Sequence, residues 1–301
     1  LKTSLELALS GTVEMDLLVS HPICDAARNL AAVWGRNVAY PCEILYLPQN
    51  ANSRHAPEYL RHEYDRLRRV LESISGKSIG DDELRASVAV FNENRSLLRQ
   101  LYTVKRETPW LLSVDEAYVL TAIGGLVPRR EHNELLQWVL PRLPERPARP
   151  QDKIRVVFEG GFCEQPPLDL LMSLGQTCYV VDDDLLIGLR WIIEDVPLDG
   201  DPLRNLATAY IEQSSYSPVQ HDLRKPKEEM LLERIRASGA SAAVLAAAKM
   251  CEPGLEEQVA YAKALDSAGL PYFVTEFEER MTSFDQLQTQ LETFAENILF
   301  Y

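Results

Sequence analysis

No run of apolar residues in the sequence approaches the roughly 20 that a membrane-spanning helix needs. Excess basic charge is missing too. Against 45 Asp and Glu stand 31 Lys and Arg, a net charge of −14. Such acidity argues against general binding to nucleic acid or to an anionic membrane, both of which depend on basic surface. Nothing at the start has the form of a secretory leader. Cysteine is scarce, and five residues, an odd number, fit reduced thiols in the cytoplasm better than a disulfide frame. No GxGxxG follows a strand, no HExxH occurs, and no two cysteines form a CxxC pair. The motifs of dinucleotide folds, zincins, zinc ribbons and ferredoxins are therefore absent. Ser75-Gly76-Lys77-Ser78 imitates the tail of a phosphate loop, but it follows a helical pattern and reads as a helix stop and turn.

What the sequence does contain is a recurring unit of strand, cysteine, acid and helix. Ala242–Ala248 is a small apolar run with the length of a buried parallel strand. It leads through Lys249-Met250-Cys251-Glu252-Pro253 to a helical pattern marked by Leu255, Val259, Ala262 and Leu265. Pro253 suits a first helical turn, Gly269 a C′ position, and Pro271 forbids continuation before a second strand at Tyr272–Glu276. Met15–Ser20 leads likewise into Cys24-Asp25 and a helix, and Ile154–Glu159 into Cys163-Glu164-Gln165-Pro166-Pro167 and another. In open parallel sheets ligands bind at the carboxyl ends of strands, where helix N–H groups favour a thiolate or an anionic cluster. Any one of these cysteines alone also reads as a small packing residue. Three in matched positions point to a shared site, either a soft metal or iron–sulfur cluster or a reactive thiol. Cys178, inside an apolar run, and Cys42, before a strand at Ile44–Leu47, read as ordinary buried residues.

The expected fold class is α/β, with two Rossmann-like parallel-sheet domains and an intervening helical segment. Residues 1–55 read as a partial N-terminal α/β domain and 56–140 as the helical segment, whose third helix starts at the capping-box match Ser113-Val114-Asp115-Glu116. Residues 141–153 read as a proline-rich linker. Pro141, Pro144, Pro147 and Pro150, spaced by threes, favour an extended polyproline conformation there. Residues 154–301 read as a C-terminal α/β domain, a four-stranded parallel sheet with helices on both faces.

Several stretches carry a family resemblance: Cys24-Asp25-Ala26-Ala27-Arg28-Asn29-Leu30, Gly161-Phe162-Cys163-Glu164-Gln165-Pro166-Pro167-Leu168, Tyr179-Val180-Val181-Asp182-Asp183-Asp184 and Lys249-Met250-Cys251-Glu252-Pro253. Phe91-Asn92-Glu93-Asn94-Arg95 and Glu276-Phe277-Glu278-Glu279 add to it. Together they resemble the benzoyl-CoA reductase and 2-hydroxyacyl-CoA dehydratase family, and the CEQPP and DDD stretches are most similar to active-site subunits of ATP-dependent benzoyl-CoA reductase.

That resemblance implies a [4Fe–4S] cluster held by three cysteines of the subunit. Cys24 matches the family's middle cysteine and Cys251 its last. The first precedes a segment resembling Leu1-Lys2-Thr3-Ser4-Leu5-Glu6-Leu7, so it is expected upstream of Leu1. Cys163 is then a cluster neighbour or a substrate-side residue. The resemblance also implies a homologous second catalytic subunit, a separate ATP-hydrolysing activator, ferredoxin as upstream donor and an acyl-CoA substrate. Benzoyl-CoA reduction to a cyclic diene is the expected reaction, with dehydration of a 2-hydroxyacyl-CoA as one alternative and a cluster-free structural partner as another. Glu164, the run Asp182–Asp184 with Asp183 at its centre, and His21 are the candidate proton donors or orienting groups; His21 also reads as a packed loop residue. Arg28 and Lys249 either oppose CoA phosphates or the cluster, or are surface charge at helix starts. Asp25 and Glu252 read as helix caps.

Overall fold

The computed structural model describes residues 2–219, 222–278, 280–281 and 283–300; Leu1 and Glu279, members of stretches that carry the resemblance, lie outside the described residues. Along the chain run α1 (Lys2–Leu9), β1 (Leu18–Ser20), α2 (Asp25–Asn37), β2 (Cys42–Ile44) and α3 (Ala56–Ser75). Then come α4 (Asp81–Glu107), α5 (Val114–Ile123), α6 (Arg129–Val139), β3 (Ile154–Glu159), α7 (Leu168–Thr177) and β4 (Cys178–Asp183). Last are α8 (Pro202–Glu212), α9 (Lys227–Ser238), β5 (Ala242–Ala248), α10 (Glu252–Ala268), β6 (Tyr272–Phe277) and α11 (Asp285–Phe300). The chain is α/β with parallel sheets of two and four strands. Among the described residues, no helix is long and apolar enough to cross a membrane.

Local chemistry sets the helix ends. Ser113 and Glu116 form the reciprocal capping box of α5 that their spacing predicts. Gly76, left-handed at φ 66, ends α3 within the Ser-Gly-Lys-Ser run. The proline-rich segment departs from the expected extended form, because Leu140–Glu145 is a 3-10 helix. Pro141 stands in its first turn, where a fixed φ and a missing N–H are tolerated, and coiling buries Leu143 in a cluster with Leu98, Leu101, Leu112 and Leu136. Residues 146–153 carry neither helix nor strand.

Two units divide the chain. The first is Leu1–Ala89, Val196–Ser214 and Val219–Arg224, and the second Val90–Asp195, Ser215–Pro218 and Lys225–Tyr301. In the first, β1 and β2 pair in parallel. There α3 packs on α8 through Ala56, Leu60, Ala207 and Ile211, and Arg61 Nε meets the Asp201 carboxylate at 2.7 Å.

In the second unit four parallel strands lie in the order β4-β3-β5-β6. Every residue of β5 is buried, as a strand covered on both faces requires. Its period-two alternation sends Ala242, Val244, Ala246 and Ala248 to one core and Ala243 and Leu245 to the other. Leu170, Leu171 and Leu174 of α7 and Leu287 and Leu291 of α11 cover the first face. Leu231 and Ile235 of α9, with Tyr261 and Leu265 of α10, cover the second. Val114 of α5 also packs into the first core, so this helix is part of the sheet's own packing.

Leu231 has 0% exposure. Leu231→Ala is expected to leave a cavity and lower the unfolding free energy by about 2–5 kcal/mol in a urea titration. Leu126→Ala, at a side chain 82% exposed, should change it by less than about 0.5 kcal/mol.

Candidate functional site

Parallel strands end together, so β3, β4 and β5 deliver their carboxyl-end residues to one edge of the second unit's sheet. After Glu159 the chain turns at Gly160, φ 133. A Cβ there would lie 1.3 Å from the Ala246 carbonyl oxygen, so only glycine lets the backbone pass this close to β5. Asp184, just beyond β4, accepts the Gly160 N–H at 3.0 Å and the Gly161 N–H at 2.8 Å. Gln165 closes the frame, donating to the Gly161 carbonyl at 2.5 Å and accepting the Leu186 N–H at 3.0 Å. Contacts from three sides thus fix the loop that carries Cys163.

From β5 the chain passes Met250, left-handed at φ 65, and reaches Cys251 at the N-cap of α10. Cys163 and Cys251 line one pocket, and the Cys163 thiol hydrogen-bonds the Cys251 sulfur. Receiving that hydrogen draws the Cys251 thiol down to about 6, against burial, with the Gly254 N–H facing the sulfur in support. Cys163 moves the other way. Holding the shared proton pushes its thiol up, and partial desolvation of this exposed side chain and the charges of Cys251 and Glu164 add to the rise. The contact thus biases Cys251 toward the thiolate and Cys163 toward the thiol.

Cys24 stands at the N-cap of α2, its sulfur accepting the Ala27 N–H at 3.5 Å. It belongs to the first unit, together with His21 and Arg28. Cys163 departs from the expectation that it also opens a helix: Pro166 and Pro167 disfavour helical backbone at the residue before each, and α7 starts only at Leu168. Among the described residues, no three His, Cys, Asp or Glu side chains gather as a metal site. The donor chemistry nevertheless fits an iron–sulfur cluster. Cys24 and Cys251 each present a soft sulfur at a helix N-terminus, and Cys251 is biased toward the thiolate that such a cluster binds.

The aspartate run divides its labour. Asp182 reaches Arg234 at 3.4 Å. Asp183 is buried, with its carboxylate taken by Lys105, by Arg190 at 2.9 Å and by the Tyr102 hydroxyl at 2.8 Å. Asp184 holds the cysteine loop; burial raises its pKa and the two glycine N–H groups oppose the rise. In the first unit His21 Nδ1 meets the Leu45 carbonyl at 3.1 Å, and burial lowers its pKa, which keeps the ring neutral at pH 7. Arg28 pairs with Asp25 at 3.5 Å on the surface, and Lys249 with Glu278 at 2.9 Å. Cys178 is buried at 1% exposure, while Cys42 is half-buried within β2.

Residues that spacing did not single out complete the pocket. Glu159, the last residue of β3, is buried and accepts from Arg234 at 2.6 Å and from the Tyr216 hydroxyl at 3.0 Å. Tyr261 and Gln258 of α10 line the same pocket. The available signal was a lone acid closing the apolar run IRVVFE at a strand's carboxyl end.

Residues 1–298 match the family model described as 2-hydroxyglutaryl-CoA dehydratase, D-component. The chain is 34% identical to one of the subunits of benzoyl-CoA reductase from Thauera aromatica, over 99% of this chain and 78% of that protein. It is 27% identical to the beta subunit of lactoyl-CoA dehydratase from Anaerotignum propionicum, over 97% and 78%. Against the beta subunit of (R)-2-hydroxyglutaryl-CoA dehydratase from Acidaminococcus fermentans the identity is 24%, over 98% and 79%.

Cys163→Ala removes the proton donor to Cys251. In cluster-free protein the midpoint of the Cys251 alkylation rate against pH, followed by peptide mass spectrometry, should move up from about 6 toward the ordinary thiol value of about 8.5. Slower alkylation at pH 7 follows, since less of the thiol is ionised.

Proposed function

The chain belongs to the 2-hydroxyglutaryl-CoA dehydratase D-component family, and on that premise we propose that it is the iron–sulfur subunit of an ATP-dependent benzoyl-CoA reductase. It passes low-potential electrons to the aromatic ring of an acyl-CoA thioester and yields a cyclic dienoyl-CoA. The observation that carries this reading is the 34% identity to a benzoyl-CoA reductase subunit over 99% of the chain. The match to dehydratase subunits favours a second reading, loss of water from a 2-hydroxyacyl-CoA on the same scaffold.

Cys24 and Cys251, with a further cysteine, would hold a [4Fe–4S] cluster. When bound, such a cluster supplies single electrons at low potential. The chain's own tasks are then physical ones. The amino termini of α2 and α10 offset negative charge at the two sulfurs, and the Cys163 thiol donates to the Cys251 sulfur. Arg28 and Lys249 meet the CoA phosphates. Their present partners, Asp25 and Glu278, are exposed pairs that exchange readily. Glu164 orients the substrate beside the thiols, and neutral His21 offers a proton-bearing ring. Asp183, enclosed by Lys105, Arg190 and Tyr102, fixes the end of β4 from within.

We also read the two sheets as cores of two Rossmann-like domains flanking a helical segment at 56–140 and a linker at 141–153. The protein works in the cytoplasm with a homologous second catalytic subunit, an ATP-hydrolysing activator and ferredoxin. The test is the complete, anaerobically assembled complex given benzoyl-CoA, ATP and reduced ferredoxin. Formation of the dienoyl thioester with two electrons consumed supports the reductase. Loss of water from a 2-hydroxyacyl-CoA without net electron consumption overturns it in favour of the lyase. Cys251→Ala should strip bound iron and the cluster's visible absorption. It should also lower activity by more than about 100-fold, beyond the roughly 10–100-fold typical of changes one shell out from a metal.

A further inference from the structure

At the floor of the thiol pocket the carboxyl groups outnumber the cations that face them. Glu159 is 4% exposed, and its Oε2 accepts from Arg234 at 2.6 Å. Arg234 also reaches Asp182, and the charge of Asp184 bears on Glu159 as well. Lys105 and Arg190, the neighbouring cations, are taken by Asp183. Glu159 and Asp184 are both buried and both depend on the Arg234 charge, and two carboxyl groups so placed out of water disfavour each other's ionisation.

Between this cluster and the thiols lies a pocket of about 20 Å³, bounded by Glu159, Asp184, Cys163, Cys251, Gln258 and Tyr261. A gap of that size has room for about one water molecule, and Glu159, Tyr261 and Gln258 bring polar groups to a lining that is otherwise mostly apolar. Among the described residues, the Tyr261 hydroxyl and the Gln258 Nε2 are buried without a hydrogen-bond partner, and Tyr261 is only 2% exposed. Buried polar groups are nearly always paired. Both residues line the gap that Glu159 shares with the two thiols, so each brings an unused hydrogen-bonding group to it.

We propose that Glu159 stores a proton for this site and delivers it, past Tyr261 and Gln258, to substrate at the thiol edge of the pocket. This rests on the acyl-CoA reductase reading given above. In each half-reaction the ring gains one electron from the ferredoxin-fed donor. The O–H bond of Glu159 breaks, and its proton forms a C–H bond at the reduced carbon. Arg234 and the Tyr216 hydroxyl then hold the carboxylate, and solvent restores the proton. The groups that face Glu159 agree with this role. Burial and the Asp184 charge push its carboxyl up to about 8, and Arg234 and the Tyr216 hydroxyl only partly oppose the rise. Burial also keeps the Tyr261 hydroxyl protonated, the state in which it can relay.

The experiment compares wild type, Glu159→Gln and Tyr261→Phe. Infrared spectroscopy of the chain at pH 7 should show the carbonyl band of a neutral buried carboxyl group, titrating near pH 8 and missing from E159Q. In the assembled complex, with cluster content matched, the wild-type rate should fall as pH rises through about 8. E159Q should lose that limb and turn over about 10²–10⁴-fold more slowly, and Y261F should be slowed while keeping the acid band. No acid band in wild type, an E159Q enzyme that keeps both rate and limb, or a Y261F enzyme as fast as wild type overturns the proposal. Should the wild-type complex reduce no acyl-CoA, the functional reading fails alone, and the infrared band still decides whether Glu159 holds the proton. If E159Q does not fold, Tyr261→Phe, which touches no ion pair, decides the relay.

Discussion

The grip of the Asp184 carboxylate on the N–H groups of Gly160 and Gly161 is the contact on which the site depends. It ties the end of β4 to the loop after β3, while Gly160 lies against the Ala246 carbonyl of β5. Three adjacent strand ends are thereby locked together through one acid and one residue without a side chain. Cys163 is carried on the locked loop and Cys251 by the turn after β5, so the two sulfurs meet because the strand ends are held. Loss of the carboxylate would leave two buried N–H groups without an acceptor, a penalty of about 1–3 kcal/mol for each such group.

Charge at this edge is asymmetric in a useful way. The contact between the two sulfurs biases the Cys251 thiol toward ionisation and the Cys163 thiol against it, and burial pushes the Glu159 carboxyl group up to about 8. A thiol biased toward its ionised form and a carboxyl group biased toward its protonated form therefore line one small pocket. On the reductase reading proposed above, that arrangement suits chemistry that adds electrons and protons in turn. The strand ends supply it without a glycine-rich phosphate loop, which the sequence lacks.

Much of the fold was legible because it is local. The run AAVLAAA is apolar throughout, and β5 occupies its full length, buried on both faces. The Ser113 capping box and the Gly76 stop form as their spacing predicts. Where burial competed with local preference, the reading fell short: Leu143 is drawn into a core, and its proline-rich segment coils. The cysteines show the same boundary. Repetition of strand, cysteine and acid singled out Cys24, Cys163 and Cys251, yet it could not tell that Cys163 lies ahead of its helix and against Cys251. Glu159 was invisible as a site residue. Its importance comes from Arg234, Tyr216 and Asp184, which lie between 25 and 75 positions away in the chain, and sequence spacing carries no information about partners so distant.

The cysteine loop is fastened by main-chain N–H groups and a carboxylate hidden from solvent, whereas Lys249 is tied to Glu278 by an exposed pair. Dissolved ions weaken attractions at the surface and scarcely reach those inside. Rising ionic strength would therefore free the lysine beside the site while leaving the sulfur-to-sulfur spacing unchanged. The rim becomes adjustable and the floor does not.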